Sequence, residues 1–164
     1  MHLRRTRVLA ELAAAVLIFV VLLSAGASAE GTVSGFFKGN GKPAALAQVT
    51  AQKGDPESGK PVTVLVFSTK DQAGDPKAAF NALFGKFGDA LVVKVFSDGK
   101  IYSVDLVHSN LEAPGGSIQV FGTISMKEFA MAGGEISGHF TSEGEHEVHG
   151  QKWDVDVTFR TKAP

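Results

Sequence analysis

Imidazole and carboxylate side chains crowd one short stretch of the chain: Glu143, Glu145, His146, Glu147 and His149, with His139 a few residues upstream. Nitrogen and oxygen donors of this kind suit zinc, copper or nickel. A divalent ion held by His139, His146, His149 and Glu143, with Glu145 or Glu147 as alternates, is therefore the first chemical expectation. The spacing is not that of a known ligand motif. His146-Glu147-Val148-His149 is one residue short of H-E-x-x-H, whose two histidines stand a helical turn apart. On a strand, His146 and His149 would face opposite sides, and only a loop would let them converge. The competing reading is a solvated hairpin end whose charges keep a sheet edge soluble.

A second histidine, His108, falls at the end of an apolar run and precedes Ser109 and Asn110. A hydrolase would need a serine poised beside it, yet no serine occupies a G-x-S-x-G turn. A partly buried imidazole bonded to a loop carbonyl is the simpler expectation. Gly39-Asn40-Gly41-Lys42 lacks the spacing of a phosphate-binding loop and no helical pattern follows it, so it reads as a hairpin turn. Sugar binding calls for exposed rings, and the only Trp and Tyr, Trp153 and Tyr102, fall on faces that the patterning assigns to the core. No cofactor motif is present beyond the ion site.

These groups need a frame, and the sequence describes a β one. From Gln151 to Thr161, Trp153, Val155, Val157 and Phe159 alternate with Lys152, Asp154, Asp156, Thr158 and Arg160. That is the pattern of a half-buried antiparallel strand, and a one-residue slip would bury two aspartates. Ala90–Ser97 and Lys100–His108 flank Asp98-Gly99, which suggests a two-residue type I′ hairpin. Counting from that turn opposes Val95 to Tyr102, Val93 to Val104 and Leu91 to Leu106 on the core face. Phe96, Ile101, Lys94, Ser103, Val92 and Asp105 then share the other. Between Asp75 and Gly88, Phe80, Leu83, Phe84 and Phe87 follow helical spacing, predicting a short helix docked through those four residues. Asp75 would cap it and Pro76 start it, with Gly85 or Gly88 at its end.

Further strands are expected at Thr32–Phe37, Ala45–Gln52, Val62–Ser68, Ser117–Ile124 and Glu135–Ser142, with Val62–Phe67 apolar enough to be covered on both sides. Loops are expected at Lys38–Pro43, Lys53–Pro61, Ala113–Gly116, Ala132–Gly134 and Ser142–Glu145. The fold class is mainly β: an antiparallel β-sandwich, or flattened barrel, of about eight strands with one short inserted α-helix.

Residues 1–29 read as a secretory signal peptide, with Arg4, Arg5 and Arg7 in front, an apolar run from Leu9 to Leu23, and Ala27-Ser28-Ala29 as the cleavage site. The 164 residues less these 29 leave 135, the size of one β-sandwich domain over residues 30–164. The run is short for a spanning helix, so no stable membrane anchor is expected after cleavage. A complete absence of cysteine is ordinary for a bacterial envelope protein and unusual for a small disulfide-built secreted domain. A net charge of −1 with no basic stripe argues against nucleic acid as a partner. The expectation is an exported protein, periplasmic or extracellular, acting as a non-enzymatic binding or structural module, with an envelope protein or a small ligand as partner. A periplasmic metal-binding protein is the alternative, and a hydrolase built on His108 a third.

Overall fold

The computed structural model describes residues 31–164; the leader expected at residues 1–29 lies outside them. Eleven strands and one helix follow in the order β1 (Gly31–Gly39), β2 (Lys42–Ala44), β3 (Gln48–Glu57), β4 (Lys60–Ser68), α1 (Ala78–Leu83), β5 (Ala90–Phe96), β6 (Ile101–Val107), β7 (Ile118–Val120), β8 (Ser125–Ala132), β9 (Glu135–Thr141), β10 (His146–Val148) and β11 (Gln151–Lys162). They form two antiparallel sheets. The first has the order β2-β1-β11-β9-β8, with β10 also paired to β11, and the second has the order β3-β4-β5-β6-β7. The sheets pack in a sandwich-like arrangement and no barrel closes, so the flattened-barrel alternative falls away.

The last strand behaves as its alternation requires. Trp153, Val155, Val157 and Phe159 are at most 3% exposed. β11 pairs with β1 along one edge and with β9 along the other, so it sits in the middle of its sheet. Across the core, Phe67 of β4 meets Phe140 of β9 and Phe159 of β11 edge to face, at centroid separations of 5.1 and 5.2 Å. Around this trio lie Phe37, Leu65, Leu91, Val93, Leu106, Ile136 and Trp153, all essentially inaccessible. β4 is covered on both sides as expected: Leu65 and Phe67 join this core, while Val62, Val64 and Val66 face α1.

The strand count exceeds the expected eight because several breaker-rich stretches are tight turns rather than loops. Four hairpins close through two-residue turns in which both residues have positive φ: Asn40-Gly41, Ser58-Gly59, Gly133-Gly134 and His149-Gly150. This is the type I′ geometry whose twist matches paired strands. Lys53–Pro61 is thus two strand ends joined by the Ser58-Gly59 turn rather than a loop. Its Asp55-Pro56 sits where the register of edge strand β3 shifts, between Gly54 and Glu57, and there a missing N–H costs little. β8 escapes period-two reading because its register shifts between Lys127 and Ala130, with Glu128 at φ 53°. That shift lets Met126 and Phe129, three residues apart, both pack on the core.

The Asp98-Gly99 hairpin forms, but not through the expected turn. Only Gly99 takes a positive φ, 84°. The Phe96 N–H donates to the Lys100 carbonyl and the Gly99 N–H to the Phe96 carbonyl, enclosing three residues. Asp98 Oδ1 accepts from the Lys100 N–H at 3.0 Å. Leu91 opposes Leu106 and Val93 opposes Val104 as counted, but Val95 opposes Ile101. The longer turn shifts the pairing by one residue and a bulge absorbs it. Ile101 therefore turns to the core, and Tyr102 to the outer face beside Phe96, Lys94 and the exposed Phe121. The core assignment of Tyr102 is overturned.

The helix is corrected as well. It spans six residues rather than the whole of Asp75–Gly88, and it docks through Ala78 and Ala82, which are 3% and 0% exposed. Phe80 and Phe84 point to solvent at 60% and 63%, whereas Leu83 packs partly against the valines that face the helix and Phe87 joins them from beyond it. Gly85, at φ 72°, stops the helix before an i, i+7 stripe can form. Two alanines one turn apart let the backbone lie close on Val62, Val64, Val66 and Val92, where phenylalanines would hold it off. Asp75 organises the entry: its carboxylate accepts from Lys86 Nζ, the Lys77 N–H and Asn81 Nδ2, in order of effect, which holds its pKa down to about 2.

Two predictions arise from these corrections. A Cβ on Gly99 would stand 2.7 Å from the Phe129 ring at a φ that side chains avoid. Gly99→Val should therefore lose about 1–3 kcal/mol of stability in urea unfolding, and a loss under about 0.5 kcal/mol would contradict this turn. Asp105 is 8% exposed on the outer face of β6. Burial pushes its carboxyl pKa up, against smaller lowering by Gln119 and Lys94. A raised folded pKa favours the fold at low pH and loses that advantage as pH rises through it. Asp105→Asn should then raise the melting temperature at pH 7 and leave it unchanged near pH 3.

Candidate functional site

The expected ion site is dispersed by the sheet that carries it. His139 lies on the outer face of the first sheet, where its Nε2 is 2.9 Å from Asp156 Oδ1. His146 stands opposite Trp153 and stacks on the indole at 5.0 Å and 20°, which puts it on the inner face. Its Nε2–H donates to the Ser142 carbonyl at 2.8 Å, fixing the proton on that nitrogen. His149 occupies the tip of the β10–β11 turn at φ 51°. Glu143 is drawn to Lys127, 2.7 Å away, and Glu145 to Lys152 at 3.1 Å. Lys127 also depresses the Glu143 carboxyl pKa, first through its hydrogen bond. Among the described residues no three histidines, aspartates or glutamates gather closely enough to hold an ion.

His108 is 5% exposed with its ring edge-on to Phe37 at 5.0 Å. Nδ1 accepts the Asn110 backbone N–H at 3.1 Å, so the bond is to a loop amide rather than to the expected carbonyl. Nε2 is buried without a partner among the described residues. With neither a carboxylate to orient it nor a hydroxyl to activate, the ring has the geometry of a packing residue.

A different feature is concave. At one end of the sandwich, a cleft of about 570 Å³ opens between edge strand β7 and the β10–β11 turn, roofed by the 112–117 segment. Ile118, Val148 and Pro114 give it apolar walls, while Glu112, Gln119 and Gln151 bring polar groups and His149 stands at its rim. Its size falls within the range of small-molecule sites. Of the histidines read from sequence, only His149 reaches it.

Two side chains, Asn40 in the β1–β2 turn and Gln151 at the start of β11, tie together the segments at this end. Asn40, in the β1–β2 turn, donates through Nδ2 to the Asn110 carbonyl at 2.7 Å and to Gln151 Oε1 at 3.0 Å. Its Oδ1 accepts the Lys152 N–H at 2.9 Å, and its own N–H reaches the Lys152 carbonyl at 2.7 Å. Gln151 Oε1 also accepts the Glu112 N–H at 3.0 Å. Both calls on this amide fall on its oxygen, which leaves the Gln151 NH2 available to a ligand. On the opposite wall, Gln119 Nε2 reaches Asp105 Oδ2 at 3.4 Å. Nothing local in the sequence announces this site, because residues 112–119 and 148–151 meet only after the two sheets stack.

No protein-family model, curated protein or solved structure matches this chain.

The clasp makes a direct prediction. Asn40→Asp replaces a two-bond donor with an acceptor facing two other acceptors. It should cost about 1–3 kcal/mol in chemical unfolding, whereas Asn40→Ser, which retains one donor, should cost less. Equal stability of Asn40→Asp and the parent would show that the clasp does not hold the turns together.

Proposed function

We propose that the chain is an exported, non-enzymatic β-sandwich module of the bacterial envelope, and that it binds a small, partly apolar ligand in the cleft between β7 and β10. The observation that carries this reading is the cleft itself: apolar walls from Ile118, Val148 and Pro114 beside a Gln151 amide whose oxygen is locked and whose NH2 is uncommitted. A preformed apolar hollow with a few fixed polar groups is the usual design of a small-ligand site. Reading the chain as a binder rather than an enzyme is supported by His108, whose ring packs edge-on to Phe37 and whose Nδ1 is taken by a backbone amide. The exported part of the reading rests on the pattern of residues 1–29. No described helix is long and apolar enough to cross a membrane.

A fragment screen followed by amide chemical shifts tests the binding site. Binders should move Ser117, Ile118, Gln119, Val148 and His149 together. Shifts confined to other surfaces would remove the cleft from consideration. Zinc added to the same sample separates the metal alternative, which calls for joint shifts of His139, His146 and His149 and a higher melting temperature. For export, the N-terminus of protein recovered outside the cytoplasm of a bacterial host should be Glu30; an intact Met1 would overturn that assignment.

A further inference from the structure

Resting on the cleft as the ligand site, we infer that its ligand is an organic cation, an ammonium or amidinium group carried on an apolar body. The charges that reach the cleft are one-sided. Glu112 lines it, and no lysine or arginine does. The nearest basic residue in sequence, Lys152, is engaged: its Nζ lies 3.1 Å from Glu145 Oε1, and Glu147 opposes it across the β10–β11 pair. Its ammonium pKa is raised, first by the hydrogen bond to Glu145 and then by the fields of Glu145 and Glu147. On the other wall, Gln119 Nε2 donates to Asp105 Oδ2 at 3.4 Å; Asp105 does not itself line the cleft, and Lys94 lies close enough to act on its carboxyl. An anionic ligand would meet Glu112 with no lysine or arginine in the lining to compensate, whereas an ammonium would find a carboxylate at the mouth. Its hydrocarbon would then lie against Ile118, which is 8% exposed, and Val148.

The Glu112 side chain is free to serve because only its backbone N–H is used in the clasp with Gln151. Glu112→Gln therefore removes the charge and keeps the bond that shapes the cleft. The same chemistry could arrive as a free amine or as a lysine side chain of a polypeptide.

Three probes of matched length separate the charge from the hydrocarbon: hexylammonium, hexanol and hexanoate, titrated into the intact mature protein and read by amide shifts at the cleft. Hexylammonium should bind about two- to five-fold more tightly than hexanol, the range of an exposed ion pair, with hexanoate weakest. In Glu112→Gln the advantage of the ammonium over hexanol should vanish while hexanol itself is unaffected. The tripeptide Ala-Lys-Ala, compared with hexylammonium, assigns the cation to a polypeptide or to a free amine according to which binds tighter. Hexanoate equal to or tighter than hexylammonium, or a preference that survives Glu112→Gln, would overturn the inference. Hexanol binding with no advantage for the amine would do the same and leave the cleft standing as a site. Silence at the cleft for all three probes would remove both.

Discussion

Phe67 holds the two sheets in register. Among the described residues it is the one ring of the second sheet that lodges between two of the first, Phe140 and Phe159, edge to face with each. Edge-to-face aromatic contacts favour one relative placement of their elements, because sliding either ring by a few ångströms exchanges attraction for repulsion. Each partner belongs to a strand that is itself fixed: Phe159 by the alternation of β11, and Phe140 by the pairing of β9 with β11. Truncating a fully buried phenylalanine in such a setting typically costs about 3–5 kcal/mol, a large fraction of the stability of a domain this size. Strand alternation, sheet order and stacking therefore converge on a single contact.

Stacking two sheets through a central seam leaves their ends to be finished by turns, and the chain finishes one end with polar side chains. Asn40 and Gln151 bridge three backbone segments there, so the rim of the cleft is a hydrogen-bonded ring rather than a loose set of loops. The other distinctive surface is the outer face of the second sheet. α1 covers its valine-rich half, and Tyr102, Phe96, Lys94 and Glu57 occupy the rest, with the Lys94–Glu57 pair at 2.6 Å. Lys94 lowers the Glu57 carboxyl pKa through that bond. This face mixes aromatic rings, Phe121 among them at 57% exposed, with one lysine–glutamate pair.

The departures from sequence reading share a cause. Counting along the chain assumes an unbroken period, and each error sits where the period breaks. One residue more in the Asp98-Gly99 turn moved Tyr102 from the core to the surface. The left-handed Gly85 cut α1 short, so that Ala78 and Ala82 took the places of Phe80 and Phe84 in its contact face, while Leu83 and Phe87 still reach the valines. A bulge near Glu128 hid β8 altogether. The residues read from sequence as ion ligands are separated by the sheet: His139 and His146 lie on either side of it.

The sequence by itself determined the mainly β class, the buried face of β11, the two-sided burial of β4 and the main pairs of the β5–β6 hairpin. These depend on local periodicity, which hydrophobic burial enforces residue by residue. Tertiary structure decided which face α1 presents, where Tyr102 points and that a cleft exists. Those outcomes turn on backbone angles at single glycines and on the meeting of segments more than thirty residues apart, such as Glu112 with Gln151. No local pattern encodes such a meeting, because it is selected by the packing of two whole sheets.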